Sequence, residues 1–188
     1  GVFIFFFVFL IAGVSFLRER TNGTLERLMA TPLRRWEIVA GYMIGFGLFT
    51  TVQASLISWF AIDVLDMMME GSFGYVLIIT FLLAMTALAL GMLLSAFANS
   101  ELQMMQFIPL VVIPQVFFSG LFNLDTMEEW LRSLSVVMPL TYGANALRDI
   151  MVRGQGWSTI AADIYVLLGF TVLFMVLNVV ALKKYRKL

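Results

Sequence analysis

The sequence contains no cysteine and no histidine, and only 13% of its 188 residues are charged. The missing cysteines exclude disulfides and thiol nucleophiles, and the two absences together exclude Cys/His zinc sites and Ser-His or Cys-His dyads. An enzyme, and in particular an intramembrane protease, is therefore a poor first hypothesis. The 12 basic and 12 acidic residues cancel, so no net charge points to nucleic acid as a partner.

Hydrophobic residues make up 61% of the chain, and they fall in long charge-free runs. Because about 20 apolar residues cross the hydrocarbon core of a bilayer, these runs predict an all-α polytopic membrane protein with one transmembrane domain, residues 1–188. A further apolar run is too short to cross and predicts re-entrant or interfacial helices within an outer segment, residues 125–150. The predicted spans are about 1–17, 38–62, 74–98, 103–122 and 158–182.

The distribution of basic residues predicts the orientation. If the first span runs from outside to inside, nine of the 12 Lys and Arg are cytoplasmic, and only Arg132, Arg148 and Arg153 lie outside. The chain begins at Gly1 inside an apolar run, with no basic leader. We therefore expect that an N-terminal part is missing and that the whole protein has six crossings.

A charged segment, residues 18–37 (RERTNGTLERLMATPLRRWE), interrupts the apolar sequence and contains eight charged residues. After an Asn-Gly turn, Thr24 is predicted to cap a short amphipathic helix, and Thr31 with Pro32 is predicted to start a second helix that enters the next span. Such a segment could simply hold orientation and contact anionic lipid. Its mixed charge and capped helix favour a cytoplasmic surface that docks another protein.

Polar and helix-breaking residues mark the fourth span. Pro109 and Pro114 are expected to kink it, and Gln115 is expected to face the bundle interior, where it either bonds neighbouring helices or lines a path. The short helices that follow could form an amphipathic cover on the outer surface or a gate. Small residues in the second and third spans are predicted to permit close helix packing, namely Gly41, Gly45, Gly47 and Gly91.

Three stretches in this order resemble the permease subunits of type 2 ABC transporters, the family that includes bacterial drug, lipid and polysaccharide exporters. They are RERTNGTLERLMATPLRRWEIVAGY, then FFSGLF, then MEEWLRSLSVVMPLTYGANALRDIMVRG. The resemblance covers nearly all 188 residues and matches such a permease from its second span onward. It implies a multi-pass protein of the cell membrane, with a bacterial plasma membrane as the expectation.

The resemblance also implies site residues. The GTLE loop corresponds to the coupling helix, which docks on a separate ATPase subunit, and the outer segment corresponds to a gate. The implied coupling residues are Arg20, Gly23, Thr24, Leu25, Glu26 and Leu28. The implied path or gate residues are Gln115, Phe117, Phe118, Ser119, Gly120, Pro139, Tyr142 and Arg148.

The chain contains no GxxxxGKS or GxxxxGKT loop with which to cradle ATP phosphates. The resemblance implies that ATP and Mg²⁺ bind to the partner ATPase, that this chain carries no cofactor, and that it pairs with a second permease as a homodimer or heterodimer. The leading hypothesis is export of a hydrophobic or amphipathic, drug-like or lipid-like molecule. The alternatives are export of a lipid-linked glycan, cell-wall precursor or peptide, or a membrane scaffold or sensor that transports nothing.

Overall fold

A computed structural model describes residues 1–121 and 129–183, apart from the side chains of residues 121, 131 and 132. The start of the predicted outer segment and the basic residues beyond 183 lie outside the described residues. The helices are α1 Val2–Thr21, α2 Thr24–Met29, α3 Arg35–Trp59, α4 Phe73–Ser95, α5 Glu101–Val116, α6 Glu129–Leu134, α7 Pro139–Met151 and α8 Trp157–Ala181. Single π-helical turns, Phe60–Val64 and Phe117–Leu121, extend α3 and α5.

The prediction of an all-helical polytopic membrane protein is confirmed for the described residues. Five helices, α1, α3, α4, α5 and α8, are long and apolar enough to cross a membrane. By contrast, α7 has 13 residues and extends about 20 Å at 1.5 Å per residue, which is less than the hydrocarbon thickness of about 30 Å. It cannot cross, and its buried face packs on α4 and α8.

The helix α4 lies at the centre of the bundle. It packs against α1, α3 and α8, and it has more buried residues than any other helix in the described part of the chain. A helix that is apolar on all sides is expected in this position, because it has no polar face to present to solvent.

The backbones of α1 and α4 approach closely at two glycines. A Cβ atom added to Gly91 would lie 2.6 Å from the carbonyl oxygen of Phe9, and one added to Gly13 would lie 3.3 Å from the carbonyl oxygen of Gly91. Small residues allow this approach between membrane helices, where dispersion and not the hydrophobic effect drives association. The packing role predicted for Gly91 is therefore confirmed.

The glycines of α3 divide into two groups. Gly47 lies against α4, where an added Cβ would be 3.1 Å from the sulfur of Met85, but an added Cβ at Gly41 or Gly45 would meet nothing within 4 Å. Within the described part of the chain, the packing role predicted for Gly41 and Gly45 is wrong, because the side of α3 on which they lie borders a cleft and not a neighbouring helix.

Two polar contacts bind α4 to α8 inside the apolar bundle. The hydroxyl oxygens of Thr86 and Thr171 are 2.8 Å apart, and the Nδ2 of Asn178 donates to the carbonyl oxygen of Ala89 at 2.9 Å. All three side chains are buried. Such bonds typically contribute about 0.6 kcal/mol each in a membrane, and they fix the register of the two helices.

We expect Gly91→Ala to destabilise the protein by about 1–3 kcal/mol, because the new methyl group forces the α1 and α4 backbones apart. Thermal unfolding of the purified protein in detergent measures the effect. Gly169→Ala is the matched control, since an added Cβ on this α8 residue meets nothing within 4 Å. Equal melting temperatures for the two variants would contradict the close contact.

Candidate functional site

The short helix α2 begins at a left-handed turn. Gly23 has a φ of 75° and occupies the N-cap position, and Thr24 is the first residue of the helix, with no capping bond from its side chain. The prediction that Thr24 caps the helix is therefore wrong. The reason is that the left-handed glycine, a conformation that costs glycine little, turns the chain directly into the helix and leaves no extended residue before it.

The link between α2 and α3 also differs from the prediction. The hydroxyl of Thr31 donates to the carbonyl oxygen of Leu28 at 2.5 Å and so helps to close the end of α2. The next helix, α3, begins at Arg35, and the backbone N–H of Arg34 donates to the Glu37 carboxylate at 2.7 Å. The predicted helix start at Thr31 and Pro32 is wrong, because the capping acid lies three residues after Arg34.

The two faces of α2 have opposite environments. Leu25 is fully buried, and Leu28 and Met29 are partly buried against the core. Thr24, Glu26 and Arg27 are exposed. Of the predicted coupling residues, Leu25 and Leu28 therefore attach the helix to the bundle, and Thr24 and Glu26 lie on its outward surface.

Two arginines tie the end of α1 to the α4–α5 connection. Arg18 forms a bidentate ion pair with Glu101, with Nε–Oε1 and Nη2–Oε2 distances of 2.6 and 3.0 Å. Arg20, a predicted coupling residue, donates to the carbonyl oxygens of Ala96 (3.0 Å) and Ala98. The Arg20 guanidinium therefore binds the connection between α4 and α5, and it does not share the outward surface on which Thr24 and Glu26 lie.

At the opposite end of the bundle, α5 ends in an irregular turn. Its last helical residues pass into a π-helical turn in which Gly120 has a φ of 84°. Phe118 and Ser119 are buried, and the hydroxyl of Ser119 donates to the carbonyl oxygen of Val116 at 2.7 Å. π-Helical turns expose backbone carbonyls that an α-helix would use, and they often occur at functional positions.

Three hydrogen bonds join α5 and its π-helical turn to α7. The residues that form them, which we name the outer latch, are Gln115, Phe118, Gly120, Leu140, Thr141 and Arg148. The Oε1 atom of Gln115 accepts from the backbone N–H of Leu140 at 3.1 Å, and the hydroxyl of Thr141 donates to the carbonyl oxygen of Phe118 at 2.9 Å. The Nη2 atom of Arg148 donates to the carbonyl oxygen of Gly120 at 3.0 Å. Gln115 is buried, and of its two predicted roles this bond is the one between helices.

The remaining predicted gate residues surround the outer latch. Pro139 is the first residue of α7, where its missing N–H costs nothing. The hydroxyl of Tyr142 donates to the carbonyl oxygen of Val136 at 2.9 Å, and its ring lies 6.1 Å from that of Phe170 on α8. Phe117 packs edge-on against Phe118 with a ring separation of 5.4 Å.

Sequence reasoning missed three residues that contribute to these contacts. Thr141 binds α5 directly, and Arg18 and Glu101 join α1 to α5 across 83 positions. Glu101 is the one charged residue between Glu70 and Asp125, and that isolation indicates a specific partner. Nothing in the sequence indicates which of the arginines in the charged segment is that partner.

These features define a class of protein: a helical membrane bundle with a short helix attached by its apolar face at one end and a hydrogen-bonded irregular segment at the opposite end. The chain belongs to the ABC-2 type transporter family, whose match covers residues 1–152. The predicted family is thereby confirmed, and the protein is a multi-pass protein of the cell membrane.

Several relatives carry descriptive names. The chain is 30% identical over 180 residues to ABC transporter G family member 20 of Dictyostelium discoideum. It is 22% identical over 165 residues to the probable multidrug ABC transporter permease YbhR of Escherichia coli, and 24% identical over 180 residues to the linearmycin resistance permease protein LnrN of Bacillus subtilis.

These matches cover most of this chain but only part of each relative. They include 94%, 87% and 92% of the chain, and 25%, 45% and 45% of the respective relatives. The chain thus spans less than half the length of these relatives. No solved structure matches it.

We expect Gln115→Met to leave the Leu140 N–H without its partner and so to destabilise the start of α7 by about 1–3 kcal/mol. Hydrogen–deuterium exchange of peptides that cover α7 measures this as faster exchange. Gln106→Met on the same helix is the control, because Gln106 is exposed. Unchanged protection of α7 in the Gln115 variant would show that the bond contributes nothing.

Proposed function

We propose that this chain is the core of a membrane permease in an ATP-driven exporter, powered by a separate ATPase subunit that binds ATP and Mg²⁺. The observation that carries the proposal is the division of α2 into a buried apolar face and an exposed polar face. A cytoplasmic helix held in this way can receive a force on its outer surface and pass it to the bundle.

The contacts of α1 support a route for that force. Leu25 attaches α2 to the core, and α2 packs against α1. The last turn of α1 binds Glu101, the first residue of α5, through Arg18. A displacement of α2 would therefore reach α5 at its cytoplasmic end through a charged contact with defined geometry.

The other end of α5 carries the outer latch. A tilt or rotation of α5 would lengthen the bond from Gln115 to α7 and the bond from Arg148 to the Gly120 carbonyl. In this proposal the outer latch is the gate: its bonds hold α7 against α5 at rest, and their rupture opens an outward path. Such a two-state element is what a coupled transport cycle requires.

The substrate we propose is a hydrophobic or amphipathic molecule, and the partner in the membrane is a second permease chain. One side of α5 supports both, because it exposes Leu102, Leu110 and Ile113 together with Gln106. Two relatives, named as a probable multidrug permease and a linearmycin resistance permease, support cargo of this kind.

We expect Glu26→Arg to reduce ATP-dependent transport at least tenfold while the fold remains intact, because Glu26 is exposed and its charge would be reversed at the docking surface. The measurements are co-purification of the ATPase subunit and uptake of a fluorescent amphiphile by inverted vesicles. Glu129→Arg is the matched control at the opposite end of the bundle. Normal export and normal ATPase binding by the Glu26 variant would contradict the proposed docking surface.

A further inference from the structure

A cleft of about 720 Å³ lies between α1, α2 and α3 at the cytoplasmic end of the bundle. This volume is in the range of small-molecule sites. Its wall is mainly apolar and includes Ile11, Leu28, Leu33, Phe46 and Phe49. Gly41 and Gly45 leave the α3 side open, since an added Cβ at either position meets nothing within 4 Å.

Two carboxylates, Glu19 and Glu37, are the acidic residues of this cleft, and no basic side chain lines it within the described part of the chain. Neither forms an ion pair with another described residue. Each accepts one hydrogen bond from a neutral donor: Glu19 from the Tyr42 hydroxyl at 3.2 Å, and Glu37 from the Arg34 backbone N–H at 2.7 Å. The cleft therefore combines an apolar wall with two carboxylates that have no cationic partner among the described residues.

The ring of Tyr42, whose hydroxyl donates to Glu19, packs against two further aromatic rings. The ring of Tyr42 lies 4.9 Å from that of Phe16, edge to face, and 6.1 Å from that of Phe46, stacked. An aromatic face attracts a cation, and the attraction increases when water is excluded. Carboxylates and aromatic faces together favour a bulky organic cation over a neutral or anionic molecule of the same shape.

We propose that this cleft binds lipophilic cations from the inner leaflet and is the site from which they are collected for export. The occupant is inferred from charge complementarity: the apolar wall takes the body of the molecule, and Glu19 and Glu37 take its charge. The step from binding to export rests on the function proposed above, whereas binding itself does not.

The first experiment measures equilibrium binding of tetraphenylphosphonium to the complete permease–ATPase complex, without ATP, in nanodiscs of zwitterionic lipid. Glu19→Gln and Glu37→Gln keep an oxygen for the Tyr42 and Arg34 hydrogen bonds but remove the charge. We expect each variant to weaken tetraphenylphosphonium binding about tenfold, because the half-buried carboxylate loses its charge and with it the attraction to the cation. Glu129→Gln is the control and should bind as the unmodified protein does.

Tetraphenylborate, an anion of nearly the same shape, separates charge from shape. The unmodified cleft should bind it at least tenfold more weakly than tetraphenylphosphonium, and both Gln variants should reduce that difference. If the two probes bind equally, or if the Gln variants leave tetraphenylphosphonium binding unchanged, the proposal is overturned.

A steric variant tests the location. Gly45→Leu projects a side chain into the open cleft and should weaken tetraphenylphosphonium binding at least tenfold. Gly169→Leu makes the same change on α8, also where an added Cβ meets nothing within 4 Å, and should leave binding unchanged. Equal binding by the two variants would place the cation elsewhere and overturn the assignment to this cleft.

Transport measurements separate this inference from the proposed function. If charge-dependent binding is found but no ATP-dependent transport of any amphiphile occurs, the exporter proposal fails and the cation site stands. If the unmodified protein and the Glu19→Gln and Glu37→Gln variants export tetraphenylphosphonium equally, the exporter proposal stands. The proposal that this cleft collects the cation for export is then overturned.

Discussion

The close approach of α1 and α4 at Gly13 and Gly91 is the contact on which the other functional positions depend. It sets the two backbones near enough that the last turn of α1 reaches the α4–α5 connection, where Arg20 binds the carbonyl oxygens of residues 96 and 98. The two bonds from Arg20 to these carbonyl oxygens depend on that depth of packing. The position of α2, which follows α1 after one turn, is fixed by the same contact.

A second constraint is that backbone polar groups in or near hydrocarbon must be bonded. The irregular turn at the end of α5 releases carbonyls from the helical pattern, and α7 supplies donors to two of them through Thr141 and Arg148. The cost of leaving these groups unbonded holds α7 against α5. If α5 shifts as proposed, the same cost requires that these groups find a second complete set of partners.

Much of the fold could be predicted because apolar runs of spanning length dictate helices, and because helix length decides which runs cross. The division of α2 into two faces followed from the same periodicity. Tertiary detail could not be predicted in this way. Gly41, Gly45 and Gly47 are all small residues of one helix, yet of the three only Gly47 contacts another described residue. Gly41 and Gly45 are four residues apart and share one side of α3, whereas Gly47 is turned by about 200° from Gly45.

The residues that cap α2 and α3 could not be predicted from the sequence either. Threonine is a common N-cap residue, which is why Thr24 and Thr31 were predicted to cap helices. Gly23 and Arg34 occupy the N-cap positions of α2 and α3 instead. The competing interactions decide the outcome: a left-handed glycine turn shortens the connection before α2, and the Thr31 hydroxyl is already bonded to the end of that helix. The Arg18–Glu101 pair could not be predicted for a different reason. It joins residues 83 positions apart, and no local sequence feature distinguishes Arg18 from the neighbouring arginines.

Three consecutive residues at the end of α1 bind three different parts of the bundle. Arg18 binds α5, Glu19 accepts a bond from Tyr42 on α3 and borders the cleft, and Arg20 binds the α4–α5 connection. Successive helical side chains differ by about 100° in direction, so a rotation of α1 cannot improve one contact without altering the other two. If a cation in the cleft prefers one rotation of α1, and the partner of α2 also prefers one rotation, linkage requires that each of them change the affinity of the other. The proposed cation site and the proposed coupling surface would therefore be thermodynamically connected through a single helical turn, with no need for a longer pathway.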